Sequence, residues 1–222
     1  MRPQEQVSFN ARQFHLLKRL VAEGEGPTLE FKRKAAFPEK IVREMIAFAN
    51  TKGGILLIGV GDDGTLPGLK HPADELHVME AALKRARPLL QYHITLIAVN
   101  DSRTIIQYEI PESKRKPHYL LSNNRLKESF VRVEDKSIKA SRELREIVKR
   151  RQRMKDIRFH FGEHEKFLMQ YLDVKESITV KEFASLCGLG RLYASRKLIL
   201  LVLANVLKIV PHEKGDLHSV RR

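Results

Sequence analysis

One stretch, Gly26 to Gly68, limits what this chain can fold into. It opens on Thr28–Lys32, where apolar and charged residues alternate as on a strand. A helix is expected over Glu39–Asn50, because Ile41, Met45, Phe48 and Ala49 share one face at spacings of four and three, and Pro38 suits its first turn. Gly53-Gly54 then permits a tight turn into the apolar run Ile55–Val60. A short apolar run directly after an amphipathic helix predicts a strand buried on both faces. The acidic turn Gly61–Gly64 closes the motif, and groups at the end of such a strand are where a fold commonly works.

The flanking sequence supplies the rest of a mixed layer. Ser8–Ala22 reads as a helix ended by Gly24, and Glu75–Ala86 as one stopped by Pro88. Ile94–Val99 and Thr104–Ile110 predict a hairpin about Asn100–Arg103, and Glu128–Val133 a further strand. Ser141–Lys155 reads as a helix that becomes strongly basic. Helices interleaved with hairpins predict an α+β domain with a mixed sheet, over residues 8–150. From Lys139 to Arg158, Lys and Arg far outnumber Asp and Glu. Such a charge run between two apolar-patterned regions predicts a linker or a solvated helix end.

A second domain is expected over residues 160–222. Glu163–Asp173 is amphipathic, Thr179-x-x-Glu182 has capping-box form, and a short helix runs to Cys187. Gly188-Leu189-Gly190 turns the chain into a longer helix over Arg191–Ala204, and Leu207–Val210 and Leu217–Val220 flank a hairpin turn. Helix, helix, turn, helix, hairpin is the order of a winged helix-turn-helix. Arg191, Tyr193, Ser195, Arg196 and Lys197 lie in the half of the long helix that would meet phosphates or base edges, with Lys214 in the wing. A helical protein-interaction module has the same shape, and the run LILLVLANVL is more apolar than groove binding requires.

Charge separates the functional classes. Lys and Arg number 41 against 27 Asp and Glu, a formal net charge of +14. That excess suits a polyanion, with nucleic acid the commonest. Lys32, Arg33, the loop Lys114-Arg115-Lys116 beside His118 and Tyr119, and Lys149, Arg150, Arg151 and Arg153 are the further candidate backbone contacts. The one cysteine, Cys187, excludes an internal disulfide and a multi-cysteine zinc site, and fits a cytoplasmic protein. MRPQEQVSFNARQF has no apolar core for a secretory signal. Leu198–Val206 is far shorter than the roughly 20 residues of a membrane span. No G-x-x-x-x-G-K-[ST] phosphate loop occurs. Carboxylates at Glu25, Glu30 and Asp62 could hold Mg²⁺ or Mn²⁺ for phosphodiester hydrolysis. Asp62-Asp63-Gly64 is equally a plain turn, and Glu30 a partner for a nearby cation.

The string Glu25-Gly-Pro-Thr-Leu-Glu30-Phe31-Lys32, Ala47-Phe48-Ala49-Asn50-Thr51-x-Gly53-Gly54, and Ile58-Gly59-Val60 with Asp62-x-Gly64 and Gly68 resembles the Alba-like (AlbA) domain of the Schlafen family. Pro117-x-Tyr119 and Phe130-Val131-Arg132-Val133 resemble its closing region. The resemblance covers about Ser8 to Arg150. It implies a nucleic-acid-binding module, often joined to a winged helix in prokaryotic transcriptional regulators, and a homodimer that could supply the second half of a doubled domain. Vertebrate members that cut transfer RNA use three carboxylates. Glu25 and Glu30 match the first two, but the third position is Gly61 here, with Asp62 next to it. The family's zinc ligands have no counterpart.

The sequence therefore predicts a DNA-binding transcriptional regulator, with RNA as a second partner, no membrane and no cofactor. The rival readings are a metal-dependent ribonuclease, which would need Mg²⁺ or Mn²⁺, and a non-enzymatic interaction module.

Overall fold

The computed structural model describes residues 8–122, 126–152, 160–212 and 214–221. The chain divides into two units, Met1–Ser137 and Ile138–Arg222.

In the first unit the order is α1 (Ala11–Ala22), β1 (Leu29–Lys32), α2 (Pro38–Asn50), β2 (Gly54–Ile58), α3 (Pro72–Leu83), β3 (Ala86–Arg87), β4 (His93–Asn100), β5 (Arg103–Ile110), β6 (Tyr119–Leu121), β7 (Lys127–Glu128) and β8 (Phe130–Val133). β9 (Lys136–Lys139) follows across the division. The main sheet runs β1-β2-β5-β4. β1 and β2 are parallel, so α2 is the crossover between them, while β2–β5 and β5–β4 are antiparallel.

The period-two alternation of β2 sends its residues to opposite layers. Leu56 and Ile58 join the core beneath α2 and α3, while Leu57 joins the core beneath α1. All three are fully buried, as expected of a strand covered on both faces. The same alternation on β1 puts Leu29 and Phe31 under α1 and leaves Glu30 on the α2 side.

Two local devices fix this arrangement. Gly53 has φ +78°, and a Cβ there would lie 2.7 Å from the Ile110 carbonyl oxygen, so only glycine lets α2 turn into β2 against β5. Asn50, buried at the end of α2, accepts the His118 N–H at 2.7 Å and donates to the Phe130 carbonyl at 2.9 Å and Ser129 Oγ at 3.1 Å. One amide thereby ties the helix to the segments leading into β6 and β8.

The second unit contains α4 (Arg142–Arg151), α5 (Glu163–Val174), α6 (Val180–Leu186), α7 (Arg191–Leu203) and the antiparallel hairpin β10 (Leu207–Val210) and β11 (Leu217–Val220). Its core joins Leu168, Leu172, Ile178, Phe183, Leu198, Val202 and Leu207. Ile147 of α4 belongs to the same core and is 1% exposed. The division between the two units thus falls before α4. Charge hid the apolar stripe of Leu144 and Ile147, three residues apart on one helix face. The described helix ends at Arg151, and Arg153 lies outside the described residues.

Candidate nucleic-acid interface

The turn before α7 is built from local chemistry. Thr179 Oγ1 accepts the Glu182 N–H at 3.2 Å, and Glu182 Oε2 accepts the Thr179 N–H at 2.8 Å, a reciprocal cap that starts α6. α6 stops at Cys187, Gly188 takes φ +62°, and the Leu189 N–H returns to the Ala184 carbonyl at 2.8 Å. Gly190 then caps α7 without a side-chain bond.

This geometry sorts the five residues read from the sequence on α7. Arg191, Tyr193 and Arg196 are exposed. Ser195 is buried and donates to Glu143 Oε1 of α4 at 2.6 Å, so it does not lie on the open face. Lys197 is ion-paired to the buried Glu165 of α5 and lies 5.1 Å from the Tyr193 ring centre. Burial disfavours its ammonium, but the Glu165 hydrogen bond and charge outweigh that and hold its pKa above the ordinary value. Lys214 is exposed in the hairpin turn. Among the described residues, Arg191, Arg196 and Lys214 form no ion pair. Lys149, Arg150 and Arg151 are exposed at the end of α4, with Arg150 Nε 2.7 Å from Glu146.

The basic residues of the first unit are less uniformly free. Arg33, Lys114 and Arg115 are exposed. Lys116 donates to the Thr51 carbonyl at 2.9 Å and pairs with Glu112, which fixes it to the end of α2. Lys32 pairs with Glu30.

The three carboxylates read as a nuclease set are not gathered. Glu25 Oε1 accepts the Phe31 N–H at 2.7 Å. Glu30 lies level with Leu56 in the sheet, whereas Asp62 follows the far end of β2 and is exposed. Among the described residues, no three His, Cys, Asp or Glu side chains form a metal-holding group. Glu30 is instead buried against Arg132 of β8, whose Nη2 reaches its Oε2 at 2.6 Å. The Arg132 Nη1 donates to Glu44 Oε2 at 2.9 Å, and Nε and Nη2 to the Gly26 carbonyl at 3.1 and 2.9 Å. Its guanidinium lies 5.0 Å from the Phe48 ring centre. Burial pushes the Glu44 carboxyl above its usual range; the Ser137 hydroxyl opposes this and the nearby Glu30 charge adds to it.

Gly61 sits inside a turn held by Asp63, whose Oδ1 accepts the Thr65 N–H at 3.0 Å and the Thr65 hydroxyl at 2.6 Å. Those bonds hold the Asp63 carboxyl below its usual range. A Cβ on Gly61 would lie 2.6 Å from both Asp63 Oδ1 and Thr65 Oγ1. The acidic turn is thus built around glycine at the position where the nuclease pattern places a carboxylate.

Residues 25–141, over half of the 222, match the family described as Schlafen, AlbA_2. The chain belongs to the Schlafen AlbA_2 family. Among solved structures it is similar to the N-terminal domain of an ATP-dependent DNA helicase RecG-related protein from Nitrosomonas europaea. The identity is 24%, over 48% of this chain and 81% of that one, with a TM-score of 0.37. It is also similar to the DIP2311 protein from Corynebacterium diphtheriae, at 14% identity and a TM-score of 0.46, over 94% of this chain but 39% of that one. No curated protein matches.

Within the AlbA_2 region, sequence reasoning missed the roles of Arg132, Glu44 and Asn50. Arg132 had a visible signal, an arginine set between the valines of an otherwise apolar strand. Its partners come from residues far away in the chain, and no spacing announces them. Among the described residues, no helix is long and apolar enough to cross a membrane.

Proposed function

We propose that this AlbA_2 protein binds nucleic acid, that its second unit is a winged helix-turn-helix, and that it regulates transcription by binding DNA. The observation that carries the reading is the exposed set Arg191, Arg196 and Lys214 on α7 and the hairpin turn, which forms no ion pair among the described residues. Helix N-terminal residues next to a short wing suit a duplex groove and its phosphates. The net charge of +14 and membership of the AlbA_2 family support the same conclusion. Tyr193, exposed beside them, adds an aromatic face. The ribonuclease alternative draws no support from the carboxylates, since Glu30 is engaged by Arg132 and Lys32.

The test is a salt titration of duplex binding by wild type and by the Arg191→Ala/Arg196→Ala variant. The log–log slope should fall by about 2 in the variant, one counterion for each lost phosphate contact. An unchanged slope and affinity would remove this face from the reading. Folded RNA in Mg²⁺ serves as the parallel arm, and metal-dependent shortening of that RNA would overturn the regulator.

A further inference from the structure

A cavity of about 620 Å³ opens in the second unit between the first turns of α4, α6 and α7 and the turn joining β10 to β11. Its lining includes four cations from four separate elements: Arg142, Lys181, Arg191 and Lys214. All four are exposed, and none forms an ion pair among the described residues. Two carboxylates also line it, and both are occupied. Glu143 accepts from Ser195 at 2.6 Å, and Asp216 accepts from Ser141, the N-cap of α4. The cavity therefore carries an excess of positive charge, with its acidic groups bonded to the wall.

Four cations held around one recess repel one another, and the two carboxylates of the lining, Glu143 and Asp216, offset only half of their charge. An arrangement of that kind is stabilised by a ligand of high negative charge that accepts several hydrogen bonds at once. A phosphate meets both needs, with Arg142 and Arg191 offering forked donors and Lys181 and Lys214 point charges. The volume exceeds that of one phosphate and suits a diphosphate or a short run of backbone. The unspent N–H groups at the Gly190-capped start of α7 add a smaller favourable field.

We infer that this cavity is a phosphate-binding site, in which Arg142 and Lys181 act together with Arg191 and Lys214. The phosphate is that of a nucleic-acid backbone or of a free small phosphate. Only the first source rests on the function proposed above. Two of its cations, Arg142 and Lys181, fall outside the residues that the helix-turn-helix pattern singles out. Arg142 reaches the site because α4 packs on α7 through Ile147 and the Glu143–Ser195 bond, and Lys181 reaches it from the first turn of α6.

The test uses the full chain, an Arg142→Ala/Lys181→Ala variant and a charge-matched control, Lys166→Ala/Lys175→Ala, whose residues do not line the cavity. Pyrophosphate binding is followed by calorimetry at low salt, and duplex binding by salt titration. The expected result is at least a tenfold loss of pyrophosphate affinity in the first variant and little change in the control. The duplex slope should also fall by about 2 in the first variant. If pyrophosphate binds with this pattern while no duplex binds to wild type, the site holds a free phosphate and the nucleic-acid reading fails alone. If duplex binds but neither ligand separates the first variant from the control, the cavity proposal is overturned and the nucleic-acid reading stands.

Discussion

Arg132 and Glu30 form a buried ion pair, Nη2 to Oε2 at 2.6 Å, in which the arginine side chain is 1% exposed. The pair joins β8 to β1, residues 102 positions apart, and shares its guanidinium with Glu44 and the Gly26 carbonyl. Its Nη1 also donates to Ser137 Oγ at 3.3 Å, so all the donors of the planar fork are matched, a condition under which a buried charge is tolerated.

Removing one partner strands the others. Arg132→Ala should destabilise the first unit by about 3–5 kcal/mol, the usual cost of leaving a buried charge uncompensated. Glu30→Gln should also lower stability, without any metal present. Urea unfolding checks both. A Glu30→Gln protein as stable as wild type would return Glu30 to the catalytic reading.

Acidification should weaken the first unit through His118. Its Nδ1 lies 2.8 Å from the Pro88 carbonyl and its Nε2 2.7 Å from Ser113 Oγ, inside a core that leaves the residue 2% exposed. Burial lowers its pKa below the ordinary value, with the Pro88 carbonyl opposing and the Lys116 charge assisting. The folded form then binds its proton less readily than the unfolded chain. The contribution is complete above the unfolded value, about 6.5, and is lost as pH falls below it. Unfolding of wild type and His118→Gln at pH 7.5 and 5.5 tests this. The variant should lose less stability on acidification, and equal losses would refute the assignment.

Gly61→Asp restores a carboxylate at the position of the nuclease pattern. It should cost about 1 kcal/mol or more, because its Cβ would displace Asp63 or Thr65 and break their hydrogen bonds. Thermal unfolding reads the loss. Transfer RNA incubated with the variant and Mn²⁺ should stay intact on a gel, since Glu30 remains held by Arg132.

Ser195 and Arg196 are neighbours with opposite placements, one buried and one exposed. Arg196→Ala should reduce the salt slope of duplex binding by about 1. Ser195→Ala should leave that slope unchanged and lower stability by about 1 kcal/mol through the lost bond to Glu143. A slope change in Ser195→Ala would place that side chain at the interface.

Much of this protein was legible in local pattern. The apolar period of α2, the glycine pair before β2, the Asp101-Ser102 hairpin and the Thr179–Glu182 cap are short-range features, and each appears where its residues place it. The motif string from Glu25 to Gly68 was also enough to place the chain with the Schlafen AlbA_2 family. The tertiary structure alone decided which charges are free. Glu30 meets Arg132 across 102 residues, Ser195 meets Glu143 across 52 and Lys197 meets Glu165 across 32. The basic helix α4 likewise joins the second core through Ile147, three residues after Leu144. Periodicity specifies which face of an element is apolar. The partner that a charged side chain finds depends on packing between elements distant in sequence, where desolvation forces every buried charge to be matched.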